Sequence, residues 1–185
     1  EELAAHFAHA NAYGQTHVVM EVSSHALEQE RVAGIRFTAG AFTNLTQDHL
    51  DFHHDMESYR RAKLKLFERI TGGNGFTAVN ADDPSAEAFV KASTVRCLRF
   101  GSTGEIKPEN IVTSIDGTRF DLVTPWGRQE IFLHLVGRHN VWNALCAAAI
   151  AGGLGVSLET IAQGLHKLPC VPGRFEPVKA GQDFH

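Results

Sequence analysis

Apolar positions along the first ninety residues alternate between helical and extended spacing. Leu3 to Tyr13 is an Ala-rich stretch of helical texture ended by Gly14. The run His17-Val18-Val19-Met20-Glu21-Val22 then predicts a short buried strand, interrupted by a single carboxylate. Ala39 to Asn44 predicts a second strand, which passes into the polar loop Leu45 to His54. Met56 to Ile70 is the strongest helical pattern, closed by Gly72-Gly73. Phe76 to Asn80 predicts a third strand, and Asp83-Pro84-Ser85 opens a helix over Ala86 to Lys91, with proline tolerated in the first turn. Strands separated by helices at this spacing require crossovers, and hence a mainly parallel sheet.

From Thr94 to Val136 the texture changes to short β-rich runs at Val95 to Phe100, Ile111 to Ser114, Phe120 to Val123 and Ile131 to Val136. Turn signals at Asp116-Gly117 and Trp126-Gly127 separate the later runs, which predicts a small antiparallel subsheet. Helical texture returns at Val141 to Ala151, ends at Gly152-Gly153, and resumes after Ser157 as far as His166. Pro169 and Pro172-Gly173 mark a linker. The expected fold class is α/β: a mainly parallel sheet flanked by helices, with a small antiparallel subsheet. The expected division is one domain over 1–171, and a linker with the start of a further domain over 172–185.

Composition narrows the partners. At 185 residues, with 43% hydrophobic and 21% charged positions, the chain can bury a full core. A formal net charge of -4 gives no basic field for binding nucleic acid. No apolar run is long enough for a membrane span, and the first residues have neither the basic nor the apolar region of a signal peptide. Cys97, Cys146 and Cys170 lie far apart without metal-type spacing, as expected for reduced thiols in a cytoplasmic protein. The start without Met and the stop at Phe184-His185 give both ends the look of cuts.

Three groups of residues could carry chemistry. Glu21 closes the first predicted strand and is followed by Ser23-Ser24-His25, where an open α/β sheet binds its ligands at the carboxyl ends of strands. A carboxylate there is either paired or metal-bound, or it sits exposed and bonded to nearby backbone. The loop Asn44 to His54 gathers Asp48, His49, Asp51, His53 and His54, although no HExxH or Cys/His zinc spacing is present and loop histidines are commonly solvated. On the helix Met56 to Ile70, Tyr59, Lys63, Leu66, Phe67 and Ile70 share one face, so Lys63 lies on the apolar stripe. It either extends to solvent from the stripe's edge or, desolvated, offers a neutral amine able to form a carbamate with carbon dioxide.

Taken in order, several strings resemble the central domain of the Mur ligase family, MurE type, across essentially the whole chain. They are Glu21-Val22-Ser23-Ser24-His25-Ala26-Leu27 with Gln29 and Arg31, Phe42-Thr43-Asn44-Leu45-Thr46-Gln47-Asp48-His49-Leu50-Asp51-Phe52-His53, Tyr59 with Ala62-Lys63, and Asn80-Ala81-Asp82-Asp83. Gly137-Arg138-His139-Asn140-Val141-Trp142-Asn143-Ala144 and Gly173-Arg174-Phe175-Glu176 look like the family's later motifs. The resemblance implies ATP-dependent amide-bond formation in peptidoglycan synthesis. In that reaction a diamino acid is added to UDP-MurNAc-L-Ala-D-Glu through an acyl phosphate.

It further implies ATP and magnesium as cofactors, with Glu21, His49 and a carbamylated Lys63 as metal ligands and catalytic residues. His49 would be atypical for an ion that prefers oxygen. Ser23, Gln29 and Arg31 match positions that hold the UDP-MurNAc dipeptide, with Arg31 suited to an anionic group. Asn140 or Asn143 would contact adenine, and Arg174 the nucleotide. Without the resemblance, Asn140 reads as a helix N-cap, Asn143 as an exposed residue and Arg174 as half of a linker salt bridge. The implied protein is a cytoplasmic monomer.

The pattern G-x-x-x-x-G-K-[ST] is missing; Gly72-Gly73-Asn74-Gly75 has no lysine and hydroxyl after it. The chain is therefore expected to be a fragment, inactive alone. The rivals are another ligase of the same superfamily, such as a folylpolyglutamate or cyanophycin synthetase, a non-catalytic binding domain, or a histidine-based metal hydrolase.

Overall fold

The computed structural model describes residues 2–46 and 50–171. It contains two three-stranded sheets and seven helices among those residues. Strands β1 (Ala39–Phe42), β2 (Phe76–Asn80) and β3 (Arg96–Phe100) form a parallel sheet in the order β1-β2-β3. Helix α4 (Met56–Glu68) lies on the crossover from β1 to β2, and α5 (Ala86–Ala92) on that from β2 to β3. Side chains alternate across the sheet as the pleat requires. Phe42 and Val79 meet Phe67 of α4 and Phe89 of α5 on one face, while Phe76, Ala78, Leu98 and Phe100 point to the other. The Phe42 and Phe89 rings stack at 3.7 Å between centroids, and Phe67 meets Phe89 edge-on at 5.1 Å.

The other face is covered by α6 (Arg138–Gly153), an Ala-rich helix that buries Val141, Ala144, Leu145, Ala148 and Ala149. Strands β4 (Lys107–Ser114), β5 (Gly117–Thr124) and β6 (Gly127–Leu133) form an antiparallel meander. Its Phe120, Leu122, Ile131 and Leu133 enter the same core as α6 and the parallel sheet. Helix α7 (Leu158–His166), capped by Ser157 Oγ accepting from the Thr160 N–H, packs on β6. No described helix is long and apolar enough to cross a membrane.

Three expectations are corrected. Residues 17–22 form no strand: they have no ladder partner among the described residues, and Val18 and Val19 are 54% and 93% exposed. An isolated extended segment leaves its backbone groups unpaired, so local apolarity alone does not make a strand. The run at 95–100 belongs to the parallel sheet, not to the antiparallel one, because it returns from α5 by a crossover. The polar region before α4 contains a short helix, α3 (Leu50–His53), and residues 24–28 form another, α2 (Ser24–Glu28).

Candidate functional site

The residues singled out in the sequence fall into two groups on different elements. The first lies on and around α2. Ser23 is its N-cap, with Oγ accepting from the Ala26 N–H at 3.2 Å, and Gln29 is its C-cap. The chain then turns through Glu30, at φ +54°, and the Arg31 N–H closes on the Ala26 carbonyl at 2.9 Å. Glu21, Ser23, Gln29 and Arg31 are all exposed. Glu21 sits in irregular chain leading into α2, not at the end of a strand.

Helix α2 packs against α4, which carries Lys63. Lys65 Nζ donates to Glu28 at 2.8 Å and Arg69 to Glu30 at 2.5 Å, so the charged flank of α4 holds the α2 turn from outside. Inside, His53 Nε2 and Ser24 Oγ share a hydrogen bond of 2.8 Å, with both residues buried. The His53 ring stacks on buried Tyr59 of α4 at 5.1 Å, and Lys63 Nζ lies 5.1 Å from the centre of that same ring. Lys63 is half-buried at the edge of the face formed by Tyr59, Ala62 and Phe67. His53 is thus a buried structural link between α3, α2 and α4. An open cleft beside them is lined in part by Phe52, His54, Ser58, Arg61 and Lys65. Glu28 of α2, paired with Lys65, lines the same cleft, so the approach of α2 turns Arg61 and Lys65 of α4 into walls of a concave, charged surface.

The second group is at the start of α6. Its N-cap is Gly137, at φ +107°, without a side-chain cap. Asn140 is not the cap: it lies in the first turn, and its Nδ2 donates back to the Val136 carbonyl at 2.9 Å. Asn143, exposed, lies one turn on, with Nδ2 3.4 Å from Asn140 Oδ1.

The motif Asn80-Ala81-Asp82-Asp83, at the carboxyl end of β2, joins the loops that follow all three parallel strands. Asn80 Nδ2 donates to the Thr43 carbonyl beyond β1 at 2.7 Å, and Asp83 Oδ2 accepts from the Leu45 N–H at 2.9 Å. Asp82 accepts from the N–H and hydroxyl of both Ser102 and Thr103 beyond β3, and from the Trp142 indole N–H of α6. Burial would raise its carboxyl pKa, but the hydrogen bonds from Ser102, Trp142 and Thr103 outweigh it and hold the group below the ordinary aspartate value. In the sequence these four residues carry only the family resemblance, with no local pattern that marks them as a joint between loops.

His49 and Arg174, and with them the loop carboxylate Asp48, lie outside the described residues. Among the described residues no cluster of three or more His, Cys, Asp or Glu side chains is arranged to hold a metal.

Comparison with known proteins places this geometry. The model of the Mur ligase middle domain matches residues 2–151. The chain is 46% identical over 173 residues to the UDP-N-acetylmuramoyl-L-alanyl-D-glutamate--2,6-diaminopimelate ligase of Bacillus licheniformis, covering 90% of this chain and 36% of that protein. It is 49% identical over 166 residues to the ligase of the same name from Gloeobacter violaceus, covering 89% and 34%. A solved structure of a UDP-N-acetylmuramoyl-L-alanyl-D-glutamate--2,6-diaminopimelate ligase superposes with a TM-score of 0.77 at 29% identity, over 86% of this chain and 34% of that one. MurF from Acinetobacter baumannii superposes with a TM-score of 0.74 at 29% identity, over 79% and 32%. The chain thus spans about a third of the length of these relatives. With a matching model over most of its length and the sheet, crossovers and linked carboxyl-edge loops described above, the chain belongs to the Mur ligase middle-domain family.

Proposed function

We propose that this chain is the central domain, over 1–171, of an ATP-dependent ligase that joins a diamino acid to UDP-MurNAc-L-Ala-D-Glu, with residues 172–185 leading into a further domain. The observation that carries this reading is the docking of α2, with Ser23, Gln29 and Arg31 on its flanks, against the helix that bears Lys63. Residues suited to an anionic acceptor therefore sit on the element next to the lysine. The names of the relatives support 2,6-diaminopimelate over L-lysine as the added residue.

In the proposed reaction the acceptor carboxylate attacks the γ-phosphorus of ATP and ADP leaves. The amine of the diamino acid then attacks the acyl carbon, and inorganic phosphate leaves. Ser23, Gln29 and Arg31 hold the UDP-MurNAc peptide; Asn140 and Asn143 meet the adenine and Arg174 the nucleotide. Magnesium, when bound, neutralises charge on the transferring phosphoryl group. The oxygen donors among these residues fit that ion, which is commonly held by one or two carboxylates with substrate phosphates and water and needs no all-protein cage. Glu21 is an exposed carboxylate free of any salt bridge among the described pairs, and a carbamate on Lys63 would add a second anionic oxygen; His49 would complete the set. Lys63 is half-buried beside Tyr59, on the helix against which α2 docks, so it is not a fully hydrated surface lysine.

The test is phosphate release by the protein made from the complete reading frame, with ATP, magnesium and UDP-MurNAc-L-Ala-D-Glu, and with diaminopimelate or lysine in parallel. Release is expected only when a diamino acid is present, and with diaminopimelate. The Lys63→Ala form should release phosphate at least about a hundredfold more slowly, an effect of the size that removal of one charge-stabilising group produces, with partial recovery on adding a short-chain carboxylate. Absence of release from the unmodified protein with either amino acid would refute the ligase reading; full activity of Lys63→Ala would refute the role of the lysine.

A further inference from the structure

We propose that Asp82 is a positioning residue that fixes the rotation of α6 against the carboxyl edge of the parallel sheet, through Trp142, so that Asn140 and Asn143 present their amides to the nucleotide base. The proposal rests on the adenine-binding reading of those two asparagines. Asp82 is an exposed side chain, yet both of its oxygens are committed. Oδ2 accepts from the Ser102 N–H at 2.7 Å and the Trp142 Nε1–H at 2.8 Å. Oδ1 accepts from the Ser102 hydroxyl at 2.8 Å, the Thr103 N–H at 3.2 Å and the Thr103 hydroxyl at 3.1 Å. An ionised carboxylate offers about four lone-pair sites, so five donors saturate it and leave no capacity for a ligand. The loop that brings Ser102 and Thr103 to it passes through Gly101 at φ +124°, where a Cβ would lie 2.8 Å from Asp82 Oδ2. Both Asp82 oxygens are therefore engaged by protein donors.

Trp142 is the joint. It lies two residues after Asn140 and one before Asn143, so any rotation or slide of α6 that moves its indole moves both amides with it. The indole is half-buried, with the Arg138 guanidinium 4.9 Å from the ring centre. Arg138, Asn140, Trp142 and Asn143 thus form the first turns of one helix, and Asp82 ties those turns to the ends of β2 and β3. The backbone at the helix start does not do this alone, since Gly137 supplies no side-chain cap. Asn80 and Asp83 bind the β1 loop in the same way, so one four-residue motif sets the relative positions of the loops after three strands and of α6.

The decisive experiment is steady-state kinetics of the ligase from the complete reading frame, comparing Trp142→Phe, Asp82→Ala and their combination with the unmodified protein. Trp142→Phe keeps an aromatic ring for Arg138 and removes the indole N–H. It should raise KM for ATP about five- to tenfold, in line with loss of one hydrogen bond of ordinary net strength. kcat should stay within about twofold, and KM for the UDP-linked peptide and the amino acid should not change. Asp82→Ala should shift the same constant by at least as much, and adding Trp142→Phe to it should have no further effect. A Trp142→Phe protein with unaltered KM for ATP overturns the proposal, as does loss confined to kcat or independent additive effects of the two changes. If Asp82→Ala does not fold, Trp142→Phe alone decides. Lack of ATP-dependent release in the unmodified protein would instead remove the ligase reading, and this proposal with it.

Discussion

At the scale of single residues, burial separates side chains that hold the fold from those left open to solvent. Cys146 lies within α6 against the main core, and burial pushes its thiol up to about 11. The folded state therefore keeps the proton longer than the unfolded chain does. Stability from this group is intact below the ordinary thiol range and is lost as pH rises toward 11. At pH 8 the folded protein should carboxymethylate Cys146 about a hundredfold more slowly than an unfolded thiol, since only the thiolate reacts. Peptide mass spectrometry of labelled protein with and without urea measures this, and equal rates would contradict the placement of this half-buried thiol against the core. The same scale shows what sequence could and could not reveal. Lys63 on an apolar stripe was legible from helical spacing, because neighbours four residues apart must share a face. His53 was not: its loop position predicted hydration, and only the approach of Ser24 from 29 residues earlier makes it a buried partner.

At the scale of elements, periodicity identified α1 (Glu2–Ala12), α4, α6 and α7 and the strands β1 and β2 to within a few residues, because each carries its own helical or extended pattern of apolar residues. It did not reveal which runs pair. β3 reads like the hairpin strands after it, and its membership of the parallel sheet follows from the α5 crossover, a property of the connection and not of the five residues themselves. Residues 17–22 show the converse, an apolar run without a partner. Contacts between elements also decide positions that look permissive. Gly152 closes α6 at a point where an added Cβ would run into the six-membered ring of Trp126, in the turn between β5 and β6. Alanine is the better helix former by about 1 kcal/mol. The steric conflict with a packed ring should win, and Gly152→Ala should destabilise the protein by about 1–3 kcal/mol in urea unfolding. A gain in stability would mean that Trp126 moves aside freely.

At the scale of the whole molecule, the two sheets are neighbours in architecture but not separate bodies. The core that contains Phe76, Ala78 and Leu98 of the parallel sheet also contains Phe120, Leu122 and Ile131 of the antiparallel one, with Val141, Leu145 and Ala149 of α6 between them. Neither sheet could be exposed without uncovering α6, whose burial depends on both. Polar contacts reinforce this, since Asp82 ties α6 to the ends of β2 and β3 while Trp126 in the antiparallel hairpin lies over the last turn of the same helix. Shared burial on this scale makes partial unfolding costly, which favours unfolding of both sheets in one cooperative step. The 185-residue chain should therefore lose its two indole environments and its far-ultraviolet helical signal together. Trp142 reports the edge of the parallel sheet and Trp126 the antiparallel hairpin, so variants retaining one tryptophan each can be followed separately in urea. Coincident midpoints for both indoles and for circular dichroism are expected; an earlier transition for Trp126 would show that the antiparallel sheet is an independent unit docked on α6, and the common core would then contribute less than its continuity implies.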